Sequence, residues 1–419
     1  MISSPAPGVG LSRTYLMRAS DALASSTATY AIPLLVLVTT GSTALTGLAF
    51  LLEWTPRLSA FAFAGSLADR WGAGRVFWVS NLLRTVVVVL AGGVLLVLPS
   101  AGTMTTCVVL AFGAVSGLVA EVSFVAVETL GAESSRRLGH AAHRLQAAQT
   151  GIDQGAMLVG PLLGGLLLLA GPTVLLSVVA LLSLTAAATS GDARAPDRDS
   201  VPSSLLTGWA ILRRTPALVW LVGGLAASNL ATGVLQAAAP ITVIHHFHYS
   251  TAAVGSVWSD AAVASLIAVW ASRHAIDRFG IWSVGAGAAA VSTAACLATA
   301  LAPTFTAYTV AVAVVMAGEG AMTVVLRTLR SRLIPVQAFG STLAVTIILV
   351  LLPLPLAGAL IGLVPTAGIP HLLLACAAVQ GLALSACFTG LRRHRATCEP
   401  RQPQDPALHK QLSQPVGAP

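Results

Sequence analysis

Long apolar runs, separated by short polar or Gly/Pro breaks, fill most of the chain. They fall near residues 13–40, 44–67, 75–98, 103–130, 143–170 and 172–190, and resume near 216–244, 250–272, 281–302, 305–330, 336–363 and 366–390. Each is about 20 residues or longer, the length an α-helix needs to cross the hydrocarbon of a bilayer. Lipid offers no partner for backbone N–H and C=O groups, so such runs must form helices that satisfy them internally. The pattern predicts an all-α polytopic membrane protein with about twelve transmembrane helices. A polar stretch, 191–208, carries Asp192, Arg194, Asp197, Arg198 and Asp199 with two prolines and reads as a connector. It divides the chain into a six-helix half at 1–190 and a second at 209–391, with a polar, Pro/Gln-rich tail at 392–419 predicted to be disordered.

Composition agrees. Hydrophobic residues make up 56% of the 419 and charged ones 9%, against about 25% charged in a soluble domain. No stretch outside the runs is long enough for a separate soluble domain, which excludes most enzymes. The net charge of +8 raises nucleic acid or anionic lipid as partners, but its placement gives another reading. Arginines stand at 13 and 18, 70 and 75, 136, 137 and 144, 194 to 214, 273 and 278, 327 to 332, and 392 to 395, while the intervening connections carry none. Alternation of basic and neutral loops is the positive-inside pattern for an even number of spans, with both termini in the cytoplasm. No nucleic-acid partner is expected. Of the 23 Lys and Arg residues only Lys410 is lysine, which with abundant Ala, Val and Gly suggests a GC-rich bacterial genome and an inner-membrane location. The N-terminus lacks a cleavable signal pattern, so the first helix reads as a retained anchor.

Ionisable groups inside the runs carry the candidate chemistry, because each needs a partner, a cavity or a neutral form. Asp21, Glu53, Asp153, Asp260 and Glu319 are the proton-coupling candidates, Glu319 and Asp260 foremost because they sit near mid-helix. Glu53 and Arg57 are four apart on one face, and Glu319, Thr323 and Arg327 align along the tenth span. Polar stripes run along the first span (Asp21, Ser25, Thr29) and the seventh (Asn229, Thr232, Gln236), and are read as facing a substrate cavity. Asp153 and Asp260 flank it. His245, His246 and His248 lack an accompanying Cys or acidic ligand, and the five cysteines show no ligand or disulfide spacing. Neither a metal nor another cofactor is expected.

The halves repeat. Asp69-Arg70-Trp71-Gly72 follows the second span and Asp277-Arg278-Phe279-Gly280 the eighth, an offset of 208 residues that also carries Asp21 onto Asn229. Parallel repeats around a central site are a common transporter design.

At this point the chain resembles the major facilitator superfamily. Gly65-Ser66-Leu67-Ala68-Asp69-Arg70-Trp71-Gly72-Ala73-Gly74-Arg75 is close to that family's G-x-L-A-D-R-x-G-R-R signature, and Gly160-Pro161-Leu162-Leu163-Gly164-Gly165 is similar to its antiporter motif G-P-x-x-G-G. Thr40-Gly41-Ser42, Arg213-Arg214-Thr215-Pro216 and Leu333-Ile334-Pro335 look most like the bacterial drug and siderophore exporters. The pattern departs at Ala73, at Gly74, which displaces a basic residue to Arg75, and in the fourth span, which offers Glu121 and Glu128 where many proton-coupled antiporters carry arginine. The resemblance implies a cavity lined by the first, fourth, seventh and tenth helices, and a latch between Asp69 and the eleventh helix in the outward-facing state. Gly65 is expected where the second helix meets a neighbour closely, and Gly160-Pro161 is expected to interrupt the fifth. The resulting expectation is a monomeric secondary transporter, working in the lipid bilayer, that exports a small lipophilic or amphipathic molecule by proton antiport. The alternatives are a proton-coupled uptake symporter or a polytopic membrane enzyme.

Overall fold

The computed structural model describes residues 7–97, 103–138, 142–190, 205–334 and 339–394. The connector from 191 to 204 and the tail after 394 lie outside the described residues. The described residues form helices joined by connections of a few residues. The first half comprises α1 (Pro7–Thr40), α2 (Thr43–Trp71), α3 (Ala73–Val97), α4 (Thr103–Leu138), α5 (Ala142–Ala170) and α6 (Pro172–Thr189). A short α7 (Leu205–Arg214) precedes the second: α8 (Pro216–Ile241), α9 (Thr251–Phe279), α10 (Ile281–Ala300), α11 (Phe305–Leu333), the pair α12 (Phe339–Leu351) and α13 (Pro353–Leu363), and α14 (Ile369–Arg393).

Eleven helical segments are long and apolar enough to cross a membrane, α12 and α13 counting as one. The twelfth span is α2, whose middle carries Glu53-Trp54-Thr55-Pro56-Arg57 and so falls short on hydropathy alone. It nonetheless packs inside the bundle against α4 and α13. Two predicted boundaries change. The connector expected to run to residue 208 turns helical at Leu205, because Leu205, Leu206, Trp209 and Leu212 recur at helical spacing before Arg213 and Arg214. The eleventh span, expected as one run, breaks at Leu352, where Pro353 and Pro355 interrupt the hydrogen-bond ladder. The fifth does the opposite: α5 runs unbroken through Pro161.

Helix ends follow from local chemistry. Ser42 caps α2 by accepting from the Leu45 N–H at 3.2 Å, and Thr304 caps α11 by accepting from the Ala307 N–H at 3.2 Å. Gly72 and Gly280 close α2 and α9 at φ of 85° and 80°, a conformation that costs side-chain-bearing residues energy. Each donates its N–H back to the carbonyl four residues earlier. The two copies of the repeated tetrapeptide thus end their helices in the same way.

The halves are built alike. In the first, α1 packs on α6, α3 on α4 and α6, and α2 on α4. In the second the corresponding pairs are α8 on α14, α10 on α11 and α14, and α9 on α11. The seam between the halves is made by α5 against α9 and α2 against α13, again a matched pair. Large apolar side chains such as Val97, Ile267, Trp270, Leu363 and Leu382 are exposed around the outside, as a surface in contact with lipid requires. This is a multi-pass membrane protein.

The two ends of the bundle differ. Arg70, Arg75, Arg213, Arg214, Arg278, Arg392 and Arg393 are exposed at one, the arginine-rich end. The connections after α1, α5, α8, α10 and α13 lie at the other, neutral end. Here the seam is tight. A Cβ on Gly47 would collide with backbone atoms of Gly358 and Gly362, one on Gly165 with the Thr251 carbonyl, and one on Gly255 with the Pro161 carbonyl. Thr251 Oγ1 donates to the Gly165 carbonyl at 2.9 Å, Ser259 Oγ to the Leu158 carbonyl at 2.6 Å, and Tyr30 packs on Trp258 with ring centroids 5.5 Å apart.

Candidate functional site

Polar groups gather inside each half. In the first half, Arg57 of α2 is the centre of one network. Its guanidinium lies 3.4 Å from Glu53 Oε1 and 3.7 Å from Glu121 Oε2 of α4, and donates to Thr29 Oγ1 of α1 at 3.0 Å. It also sits 4.7 Å over the Trp54 ring. Gly117 lets α4 approach this closely, since a Cβ there would strike the Glu53 carbonyl. Glu53 therefore belongs to a three-charge network rather than standing alone.

Asp21 is expected to line a cavity, and the structure corrects this. Its side chain points between α1, α3 and α4 and is buried, accepting from Arg84 Nη1 at 3.2 Å and from Ser123 Oγ at 2.7 Å. Asn81 in turn donates to Ser123 Oγ at 2.9 Å. Thr29 is committed to Arg57, and Ser25 is half-buried. Placing Asp21 beside Arg84 replaces the cavity by a cation, the other way to keep a carboxylate inside a bilayer.

Nearer the arginine-rich end, Arg18 joins α1 to α4 and α5. It meets Asp153 in a two-pronged pair, Nε to Oδ1 at 2.9 Å and Nη2 to Oδ2 at 2.5 Å, and also contacts Glu128. Arg18 reads in sequence as a loop charge, yet it is buried on α1. Asp153 is an ion-pair partner.

The second half is built differently. Glu319 of α11 has no cationic group in ion-pair distance among the described residues. Its Oε1 accepts from Ser228 of α8 at 2.6 Å, Ser292 of α10 at 2.7 Å and Gln380 of α14 at 2.9 Å. Gln380 Nε2 also donates to Ser228 Oγ at 2.9 Å and Ser292 Oγ at 3.2 Å. Ser228, Ser292 and Gln380 are buried, while Glu319 is partly open. The expected alignment with Arg327 does not bring the two together: they lie eight residues apart along α11 and Arg327 is exposed. The 208-residue offset carries Ser20 to Ser228 and Arg84 to Ser292. At the position where the first half places a guanidinium, the second places a hydroxyl. Ser228, Ser292 and Gln380 escape a sequence reading because single Ser and Gln residues in apolar runs form no stripe; the repeat offset is the one signal that points to two of them.

The remaining candidates divide. Asp260 is exposed on the same face of α9 as Val263, Ile267 and Trp270, away from Trp258 and its contact with α1. Asn229 and Thr232 hydrogen-bond to their own helix at Leu225 and Ser228, and Gln236 is half-buried beyond them. Gly160 and Gly164 bring α5 onto Ser26, Thr27 and Ala31 of α1, and Gly165 brings it onto α9. Gly65 makes no close approach: a Cβ there meets nothing within 4 Å, because this part of α2 faces outward. Arg70 and Arg75 are exposed either side of Gly72, and the Asp69 side chain lies outside the described residues. His245, His246 and His248 stand exposed in and after a π-helical turn, Thr242–His246, that ends the seventh span.

The profile of the Major Facilitator Superfamily matches residues 14–352. The chain belongs to that superfamily. No curated relative matches it in sequence. Among solved structures, it is similar to a bacterial homologue of the iron transporter ferroportin in an inward-facing state. That likeness has TM-score 0.73 and 15% identity, over 92% of this chain and 99% of the other. A bacterial homologue of the human lysosomal transporter Spinster gives TM-score 0.69 and 13% identity over 96% and 100%. A point mutant of the nucleoside transporter NupG gives 0.69 and 12% over 90% and 100%. At such identities the likeness is one of fold. Within that fold this superfamily member distributes interior charge unevenly. Asp21, Glu53, Glu121, Glu128 and Asp153 of its first half share Arg18, Arg57 and Arg84, whereas Glu319 is held by neutral donors.

Proposed function

We propose that the protein is a secondary active exporter of a small lipophilic or amphipathic molecule, of the drug, antibiotic or siderophore-like kind, driven by proton influx. The observation that carries this reading is Glu319, a carboxyl in the interior of the second half with three neutral donors and, among the described residues, no arginine in ion-pair distance. A carboxylate fixed to a guanidinium gains little by taking a proton. One held by hydroxyls and an amide changes the local charge whenever it does, and an intramembrane ionisable group of this kind is a functional candidate by default. A single charge crossing 100 mV is worth about 2.3 kcal/mol, enough for roughly a fifty-fold substrate gradient.

The arginine-rich end is assigned to the cytoplasm by the positive-inside rule, which places both termini there. With the seam closed at the neutral end, this is the inward-open stage of an alternating-access cycle in a bacterial inner membrane. The protein works as a monomer, since both halves of the bundle come from one chain. The fold alone does not select a cargo, given neighbours named for iron and for nucleosides.

The test is a growth and efflux screen against amphipathic dyes and antibiotics in an efflux-deficient bacterial host. Proton release driven by the active compounds is then measured in everted vesicles. Export that dissipates a proton gradient in the wild type and loses at least tenfold of its rate in Glu319→Gln is expected. Accumulation of the compounds by intact cells reverses the direction to uptake. Unimpaired proton-coupled export by Glu319→Gln removes Glu319 from the mechanism.

A further inference from the structure

We infer that α7, with the arginine-rich ends of α8 and α14, forms a binding site for one anionic phospholipid. Arg213, Arg214, Arg392 and Arg393 would hold its phosphate, and Leu206 and Trp209 its acyl chains. The inference needs only the multi-pass membrane fold and is independent of the cargo and of proton coupling.

The two faces of α7 differ. On one, Gly208 and Leu212 are buried, and a Cβ on Gly208 would collide with the Ser341 carbonyl near the start of α12. Backbone contact therefore seats α7 on α12. On the opposite side the helical repeat brings Leu206, Trp209, Ala210 and Arg213 together, and all four are exposed. Leu206 shows 79% of its surface and Trp209 39%. A helix facing water carries polar side chains there, whereas an apolar side tipped with arginine suits a helix lying in the membrane interface. The Arg213 guanidinium lies over the Trp209 ring at 5.0 Å, so cation and ring present one surface. Trp71 and Trp220 are also exposed at this end of the bundle, at the level where indole rings gather between lipid and water.

The charge selects the lipid. Gly390 of α14 lies against the Trp220 ring of α8, so Arg392 and Arg393 end α14 beside the start of α8, which follows Arg214. α7, α8, α12 and α14 contain no Asp or Glu. None of the four arginines has a carboxylate in ion-pair distance among the described residues. Arg13 of the first half differs, since it donates to the Thr189 and Ser190 carbonyls at the end of α6. The rival occupant is the connector, 191–204. Its Asp192, Asp197 and Asp199 are offset by Arg194 and Arg198, which leaves one negative charge. Apart from its prolines, only Ala193, Ala195 and Val201 are apolar. Such a segment can neither neutralise four arginines nor cover Leu206 and Trp209. A phospholipid does both, and free phosphate does only the first. Each arginine near an anionic leaflet favours association about fivefold.

The experiment attaches a bimane label at Ala210→Cys in the full-length protein lacking its native cysteines. Nanodiscs of phosphatidylcholine carry a minor fraction of lipid with brominated acyl chains, either phosphatidylglycerol or phosphatidylcholine, and quenching of the label is compared. A preference of about tenfold for brominated phosphatidylglycerol, unaffected by inorganic phosphate, is expected. Arg213→Gln/Arg214→Gln should remove most of it, and Arg392→Gln/Arg393→Gln should lower it several-fold. Lipid retained in native mass spectra of the unlabelled wild type gives the same comparison without a cysteine variant. Equal quenching by the two lipids overturns the inference, as does quenching by neither. So does a preference that both arginine double variants leave unchanged. A preference seen only in Asp192→Asn/Asp197→Asn/Asp199→Asn assigns the patch to the connector, and displacement by inorganic phosphate makes it a plain anion site; either overturns the lipid as occupant.

Discussion

Removing the Arg84 guanidinium tests whether Asp21 is structural or a proton carrier. Both side chains are almost fully buried and stand 3.2 Å apart. At an effective dielectric constant of about 20 their attraction is about 5 kcal/mol. Against it stand the desolvation of two ions, several kcal/mol each, and two guanidinium nitrogens, Nε and Nη2, that are buried without partners. The pair as a whole therefore contributes little net stability, while either member alone is an uncompensated charge. Arg84→Met should destabilise the protein by about 3–5 kcal/mol, and the double variant Asp21→Asn/Arg84→Met should recover most of that loss. Thermal unfolding in detergent, followed by the fraction eluting as a folded monomer, reads both. Export in the double variant should survive, because the structure gives Asp21 no cavity to exchange protons with. A single Arg84→Met variant as stable as wild type, or a double variant less stable than the single, would refute the electrostatic argument. A stable double variant without export would return Asp21 to the coupling machinery.

Two further outcomes follow from the packing and the charges. Gly358→Leu places a side chain where a Cβ already meets the Leu51 N–H and the Gly47 carbonyl at 2.5 and 2.7 Å, so the neutral-end seam should fail to close. In a variant lacking native cysteines, a reporter cysteine at position 51 should react several-fold faster with a membrane-impermeant thiol reagent added from outside, and an unchanged rate would count against the closed seam. Asp153→Asn should cost about 1–2 kcal/mol of stability through its two-pronged bond to buried Arg18. Glu128→Gln should cost nothing measurable, because half of the Glu128 side chain is exposed and solvent screens it; equal losses in thermal unfolding would show that the two carboxylates act alike.

Much of the fold was legible because the bilayer imposes one rule everywhere: a run of about 20 apolar residues must be a helix. Even α2, with Glu53 and Arg57 in its middle, reads as a span, since those charges stand four apart and the flanking residues are apolar. What was not legible depended on where a side chain points. Arg18 reads as a loop charge because the first run begins nearby, yet it lies about three turns inside α1, facing α4 and α5. Asp21 shares a stripe with Ser25 and Thr29, but α1 touches α2, α4, α5 and α6, and no stripe on one helix tells which neighbour it faces. Gln380 was invisible for a different reason. A lone Gln in an apolar run gains meaning only when three other helices bring Ser228, Ser292 and Glu319 to it.

The placement of these networks bears on how easily the halves can rock. Each ion pair described lies wholly within the first half, and the four groups around Glu319 lie wholly within the second. What crosses the seam is of another kind: glycine backbone against backbone, the aromatic contact of Tyr30 with Trp258, and neutral hydrogen bonds from Thr251 and Ser259 to carbonyls of α5. Separating a charge pair in a low-dielectric interior costs several kcal/mol, whereas a neutral hydrogen bond exchanged for one to water costs about 1 kcal/mol. Among the described residues, a rigid-body motion that opens the neutral end therefore breaks only the weaker interactions and leaves each paired charge with its partner. Such a device needs a trigger that changes the charge of one half without tearing a salt bridge. Glu319 meets that condition because its donors are neutral and all belong to its own half.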